Sequence, residues 1–277
     1  MKKIVAVSLV LASGAAFAQS SVTLYGIADM NIASRKSADT GERTTQVNSS
    51  GIYESRIGFK GSEDLGGGLK ANFVLENGFN SDDGTLGSAN TAFNRQSWVG
   101  LSGGFGALKL GKTDSVFKDI YDMGVVNNLF DSEFTPVKIA YAGVSNFSSR
   151  PNNQVRYETP NLSGFSAGLT YALDENVAPA TANSEITAFN LRYRGGPLDV
   201  GVAYQDQKNA TATLDRNFTV LAAAYNFGVV RVSGQYQITD QSNGLEDRDY
   251  SFGVTVPFGN FDVSAGFGSG KSDLNGV

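Results

Sequence analysis

Short runs in which apolar and small or polar residues alternate recur from one end of the chain to the other, and this two-residue period limits the fold more than any single motif. It is seen in Val22-Thr-Leu-Tyr-Gly-Ile-Ala, Leu69-Lys-Ala-Asn-Phe-Val-Leu, Phe165-Ser-Ala-Gly-Leu-Thr-Tyr, Leu198-Asp-Val-Gly-Val-Ala-Tyr, Tyr250-Ser-Phe-Gly-Val-Thr-Val and Phe261-Asp-Val-Ser-Ala-Gly-Phe. A period of two means strands with one oily face. No helical period is sustained over a long window, so the chain is expected to be all-β. The connections alternate in length. Tight turns at Asp64-Leu65-Gly66-Gly67-Gly68, Gly103-Gly104-Phe105-Gly106, Asn161-Leu162-Ser163-Gly164, Gly195-Gly196-Pro197, Asn226-Phe227-Gly228 and Pro257-Phe258-Gly259-Asn260 are separated by long polar segments. A soluble sandwich would put the oily faces in a core. The alternation of short turns with long loops instead fits an antiparallel barrel whose oily face meets lipid. Phe105, Phe165, Phe227, Phe258 and Phe261 crowd the short turns, as an interfacial girdle would.

The N-terminus supplies the compartment. Lys2 and Lys3 precede an apolar run from Ile4 to Leu11, and Ala16-Phe17-Ala18 ends the segment before Gln19. This is the pattern of a secretory signal peptide over residues 1–18 with a small-residue cleavage site. The run is too short to span a bilayer as a helix, and charged or glycine-rich positions interrupt every later one, so a membrane span has to be built from strands. Removing the two signal lysines takes the net charge from −5 to −7. An acidic chain argues against a nucleic-acid partner.

Composition then removes most chemistry. Among 277 residues there is no Cys and no His. Serine and cysteine nucleophile systems that rely on histidine are excluded, as are the usual zinc sites and any disulfide staple. No enzyme activity and no cofactor are expected. The strand count comes to about 13, each of roughly 8 to 11 residues. Single-chain bacterial barrels have even counts. Because residues 270–277 read as the opening of another long loop, the sequence is expected to be C-terminally incomplete.

Four segments carry a family resemblance. Gln19-Ser-Ser-Val-Thr-Leu-Tyr-Gly-Ile-Ala-Asp, Ser55-Arg-Ile-Gly-Phe-Lys-Gly-Ser-Glu-Asp-Leu-Gly-Gly-Gly-Leu-Lys-Ala, Tyr157-Glu-Thr-Pro-Asn-Leu-Ser-Gly-Phe and Ala224-Tyr-Asn-Phe-Gly resemble the general porins of β-proteobacteria. The resemblance implies a transmembrane antiparallel β-barrel of about 16 strands in the full-length protein. It also implies a homotrimer in the outer membrane and a third loop folded inward to form a constriction. Family chains end in a strand with a terminal Phe. This sequence ends in Val277.

The long segment at about 113–150 matches that loop in position. It carries Asp114, Asp119, Asp122, Asp131 and Glu133, and a loop of this length is usually functional. The plainer alternative is a solvated outer loop kept soluble by its acids. A basic wall should face it. In a strand over 52–61, Ile57 and Phe59 belong to the lipid face, which sends Arg56 and Lys60 into the lumen. The same parity argument places Lys70 opposite Leu69 and Ala71, Arg95 opposite a lumen-averse Trp98, and Arg156 between outward Val155 and Tyr157. Arg150 shares that parity if the strand reaches back so far. By resemblance Arg56, Arg95 and Arg150 align with the family's arginine cluster at the constriction. Each basic residue has the simpler reading of a wetted lumen side chain.

Two motifs are set aside. Gly106-Ala-Leu-Lys-Leu-Gly-Lys112-Thr113 matches the phosphate-loop pattern, but its centre alternates as a strand and no βαβ unit surrounds it. Asp82 and Asp83 mark a loop tip rather than a metal site. The expected function is passive outer-membrane diffusion of ions and small hydrophilic solutes, mildly anion-selective, with outer-membrane lipid as surroundings. A solute-specific channel and a surface-recognition or adhesin barrel are the alternatives.

Overall fold

A strand with apolar residues at every second position must find an apolar medium for one face, and here that face points away from the rest of the molecule. In the computed structural model, which describes residues 21–36, 40–88, 90–125, 147–173, 185–208 and 214–274, fifteen strands and one helix are seen. β1 (Ser21–Ile27), β2 (Met30–Lys36), β3 (Arg43–Ser49), β4 (Arg56–Gly66), β5 (Leu69–Gly78), β6 (Gln96–Gly103) and β7 (Gly106–Lys112) precede helix α1 (Val116–Val125). β8 (Gln154–Glu158), β9 (Phe165–Ala172), β10 (Glu185–Gly195), β11 (Leu198–Lys208), β12 (Arg216–Asn226), β13 (Arg231–Gln241), β14 (Leu245–Phe258) and β15 (Phe261–Leu274) follow it. Thirteen strands form one sheet in the order β1-β4-β5 and onward in sequence to β15, while β2 and β3 stand apart as a hairpin. The thirteen strands counted from the sequence correspond to this sheet. Among the described residues no ladder joins β1 to β15.

The faces are inverted relative to a soluble protein. Leu24 is 62% exposed and Phe189 51%, whereas Gln205, Gln237, Thr170 and Asp249 are at 0%. Outward apolar and inward polar is the arrangement that a lipid-embedded barrel with a wet interior requires. Register carries it across strands. Leu191 pairs with Ala167 and Val202, all outward, and Asn190 pairs with Gly168 and Ala203, all inward. The five phenylalanines at the short turns are all exposed, and Phe165 and Phe227 each pack against a tyrosine, Tyr193 and Tyr225.

Two strand limits differ from the sequence reading. The strand expected over 52–61 starts only at Arg56, because the Asp29 carboxylate accepts the amides of Gly51, Ile52 and Tyr53 and bends that stretch out of the ladder. The tail expected to open a loop at Gly270 stays in β15 to Leu274, with Gly270 opposite Asp249 and Lys271 opposite Arg248. The signal segment lies outside the described residues.

The long segment after β7 is not purely loop. Ser115 caps α1, its hydroxyl accepting the Lys118 amide at 3.4 Å, and Asp119 sits in the first turn, where a carboxylate is favoured. Val116, Phe117, Ile120 and Met123 form one apolar stripe. It packs against Ala188, Ala203, Phe218, Val220 and Ala222 on the inner face of β10 to β12, and together these residues make the hydrophobic core. The Asn190 side-chain amide donates to the Val116 carbonyl at 2.7 Å and the Thr170 hydroxyl accepts the Val116 amide at 3.1 Å. These bonds dock the helix on the inner wall. It touches every strand from β9 to β14.

Candidate functional site

The inner face of β4 to β8 collects cations because lysine and arginine fall on one parity there. In-register rows place Arg56 beside Gly78, Gly58 beside Glu76, Lys60 beside Val74 and Asp64 beside Lys70. Glu76 shares the lumen parity of Lys70 and is buried. It is the organising carboxylate of this wall and was missed in the sequence, although parity counted from Lys70 reaches it. Its Oε1 accepts Arg95 Nε at 2.7 Å, its Oε2 accepts the Tyr25 hydroxyl at 2.9 Å, and Arg56 Nε stands 3.9 Å away. Arg95 also pairs with the exposed Glu54. The buried, hydrogen-bonded Arg95–Glu76 pair is fixed, since leaving either partner alone in such a site costs several kcal/mol, while the partly exposed Arg56 is held more loosely.

The route to Arg95 was wrong even though the residue reaches this wall. Trp98 does not avoid the lumen: it lies in register with Val74 and Gly111, and Val99 and Leu101 take the outward positions. Its indole N–H donates to Gln96 Oε1 at 2.9 Å, and the Lys109 ammonium lies over its ring, 5.2 Å from the centroid. An indole is amphipathic enough for a wet wall. Arg95 precedes β6 altogether. Arg150 likewise lies before β8, so strand parity does not apply to it.

A second cluster joins the wall to the inward helix. Arg156 donates to the Asp114 carbonyl at 2.7 Å and to Asp119 Oδ2 at 2.6 Å, and it also pairs with Glu158. Lys109 Nζ reaches Glu158 Oε2 at 3.0 Å. Burial pushes the Asp119 carboxyl up, while the Arg156 charge pulls the other way. Arg150 Nε lies 2.8 Å from Asp114 Oδ1, but neither atom has a well-formed hydrogen bond, so the contact is an ion pair. Lys112 Nζ donates to the Arg150 carbonyl at 3.1 Å and to Asn152 Oδ1 at 2.8 Å. A polar cavity of about 520 Å³ brings Glu54, Arg95, Lys112 and Arg150 together. A second one, of about 570 Å³ and at the Gly106 end of β7, holds Asp119, Asp122, Glu158 and Arg192. Cations and carboxylates are thus interleaved as ion pairs in both places, with Arg150 on Asp114 and Arg156 on Asp119 and Glu158.

Not every candidate joins these clusters. Lys60 and Lys70 are exposed on the lumen face toward the short turn at Gly66–Gly68, away from Glu76. Asp122 pairs with Lys118 along α1. Asp131 and Glu133 lie outside the described residues. Nearer the short turns, Asp199 accepts Arg192 through both oxygens, at 2.7 and 2.6 Å, and Arg194 at 3.1 Å. That triad was missed in the sequence. The phosphate-loop look-alike is strand β7, with Lys109 directed to the lumen. Asp83 closes an exposed turn by accepting the Thr85 amide and hydroxyl at 2.8 and 2.7 Å, contacts that hold its carboxyl below the usual range. No metal-binding group of acidic residues is found among the described residues.

The arrangement can do electrostatic work: guanidinium and carboxylate groups fixed along a lumen wall set up a local field, and ions are sorted by the few charges nearest their path. Known proteins share this fold. A family model described as Gram-negative porin matches residues 5–277. Outer membrane porin protein 32 of Delftia acidovorans is 38% identical over 269 residues, covering 93% of this chain and 76% of that protein. Major outer membrane protein P.IB of Neisseria meningitidis is 35% identical over 205 residues, covering 72% of this chain and 58% of that protein. Among solved structures, the anion-selective porin from Comamonas acidovorans superposes with a TM-score of 0.76 at 33% identity, covering 92% of this chain and 80% of that one.

Proposed function

The chain belongs to the Gram-negative porin family, and we propose that it forms a passive outer-membrane channel for ions and small hydrophilic solutes with a modest preference for anions. The observation that carries the reading is the set of arginines fixed on the lumen side, with Arg56 and Arg95 beside Glu76 and with Arg150 and Arg156 on the carboxylates of the α1 segment. The anion preference of the Comamonas acidovorans porin supports the sign. Its magnitude is modest because each arginine has a carboxylate partner that cancels part of its field. Export with cleavage after Ala18, assembly as a homotrimer and the absence of any catalytic step complete the reading.

The test is the reversal potential in a salt gradient across a planar bilayer. Replacing Arg56 and Arg150 together by Ser should move it toward cation preference, while replacing the exposed Lys36 and Lys208 should leave it nearly unchanged. These two are exposed residues at the ends of β2 and β11, and charges in open water are screened over about a Debye length, roughly 8 to 10 Å. Equal shifts from the two double variants, or no shift from the arginine pair, would refute the assignment of the constriction.

A further inference from the structure

Lys60, Lys109 and Trp98 enclose a groove nearer the short turns than the Glu76 cluster, and it shares Lys109 and Glu158 with the Arg156 cluster. Its volume is about 460 Å³, and Lys60, Val74, Trp98, Gly100, Lys109 and Glu158 line it. All six share the lumen parity, in the successive rows Lys60–Val74–Trp98 and Gly100–Lys109. Three strand spacings and a two-residue register offset separate Lys60 on β4 from Lys109 on β7, so the two lysine backbones are roughly 16 Å apart, a span that two long side chains can close around a small molecule. Lys60 lies four residues along β4 from Arg56, roughly 13 Å nearer the short turns, which makes the groove distinct from the arginine cluster.

Its chemistry is specific. The floor stays open at Gly100, where a Cβ would meet the Leu108 carbonyl oxygen at 2.3 Å, so no side chain fills it. Trp98 and Val74 give the groove an apolar wall. Lys60 rests over the Tyr25 ring at 5.2 Å and has no carboxylate in ion-pair reach among the described residues. Lys109 is shared between Glu158 and the Trp98 ring. Glu158 is shared by Lys109 and Arg156, so among the described residues Lys60 supplies one positive charge with no ion-pair partner beside a flat apolar surface. That combination fits one negative charge on a flat apolar body, and suits dianions and purely aliphatic acids less well.

We propose that this groove is a binding subsite for small aromatic monocarboxylates, with the carboxylate on the Lys60 ammonium and the ring against Trp98 and Val74. It rests on the channel reading only in placing the groove in a solvent-filled lumen. Trp98 is the one tryptophan of the chain and therefore reports directly from the groove wall. With the full chain in detergent, 4-nitrobenzoate is expected to quench tryptophan emission saturably, and 4-nitrobenzamide, of the same shape but uncharged, only weakly and linearly. Benzoate should displace the quencher at lower concentration than acetate. Lys60→Gln should raise the half-saturating concentration roughly three- to fivefold, the range of a partly exposed ion pair. Equal linear quenching by the two nitro compounds, or an unchanged half-saturation in Lys60→Gln, overturns the subsite. Should that variant fail to assemble, single-channel current through the unaltered protein decides: benzoate should lower it saturably where equimolar acetate does not, and equal reductions overturn the proposal. A protein that conducts but shows no saturable quenching loses only the subsite. One that carries no current loses the channel reading.

Discussion

Asp29 ties together the two segments of this chain with the most specific family resemblance. Its carboxylate accepts Gly51 N at 2.7 Å, Ile52 N at 3.1 Å and Tyr53 N at 3.0 Å, while its own amide and carbonyl bond the Ser55 hydroxyl at 2.9 and 3.0 Å. Partial burial raises the carboxyl pKa, but the three backbone amides outweigh it and hold the group below its usual value. A lowered carboxyl contributes stability that is fully present above about pH 4 and is lost as pH falls through the folded value. Asp29→Ala should remove about 2 kcal/mol or more of local stability, the scale of hydrogen bonds to a charged acceptor, and should lower the temperature at which the folded band converts on a detergent gel. The gap between wild type and variant should narrow as pH falls below about 4. A gap unchanged across that range would show that shape, not charge, is what Asp29 supplies. Glu76 yields a second expectation. Glu76→Gln removes the negative charge between Arg56 and Arg95 and should shift the reversal potential toward anions, and a shift toward cations would mean that the arginines have left the lumen. The parity of Arg56, Lys60 and Arg156 was legible because each has an outward apolar neighbour in its strand, Ile57, Phe59 and Val155. Trp98 was misread because an aromatic side chain by itself does not say whether it faces lipid or a wet wall. Arg95 and Arg150 lie outside strands, where no period exists to read.

At the scale of elements, the strands were legible and the inward helix was not. Period two survives in every barrel strand because lipid on one side and water on the other impose the same pattern along the whole sheet. The hairpin of β2 and β3 escaped notice because polar residues on an exposed ribbon look like any outer loop. α1 spans ten residues, too few for a sustained helical signal, and its apolar stripe makes sense only once the inner wall is known to carry an apolar patch. That wall is cut to receive it. A Cβ at Gly168 would meet Val116 Cγ1 at 2.7 Å, and one at Gly201 would meet Ile120 Cδ1 at 2.5 Å. Phe117 is fully buried, 4.7 Å from Phe147 and 6.1 Å from Phe218 between ring centroids. Truncating a buried phenylalanine costs about 3 to 5 kcal/mol. Phe117→Ala should therefore loosen α1 while the sheet persists, seen as increased open-channel current noise with an unchanged far-ultraviolet strand signal. Quiet current in that variant would show that the hydrogen bonds from Asn190 and Thr170 hold the helix by themselves.

Over the whole molecule, charge and function point in opposite directions, and resolving that gives the last expectation. The chain carries a net charge of −5, yet its channel is proposed to prefer anions. The two statements are compatible if ions respond to local groups rather than to the sum. Exposed acids such as Asp64, Asp82 and Asp83 are surrounded by water, whereas Arg95 and Arg156 are buried at the inner wall, where screening water is scarce. The Debye length is about 3 Å at 1 M salt, about 10 Å at 0.1 M and about 30 Å at 0.01 M. At high salt only charges bordering the path are felt, while at low salt distant acids begin to contribute. Measured in the same tenfold gradient at decreasing mean concentration, the anion preference should first grow, as screening of the lumen arginines relaxes, and should keep its sign throughout. The Arg56 and Arg150 double variant should lose the growth. If instead the unaltered channel turns cation-preferring as salt is lowered, the net charge governs selectivity and the paired arginines are too well compensated to set it.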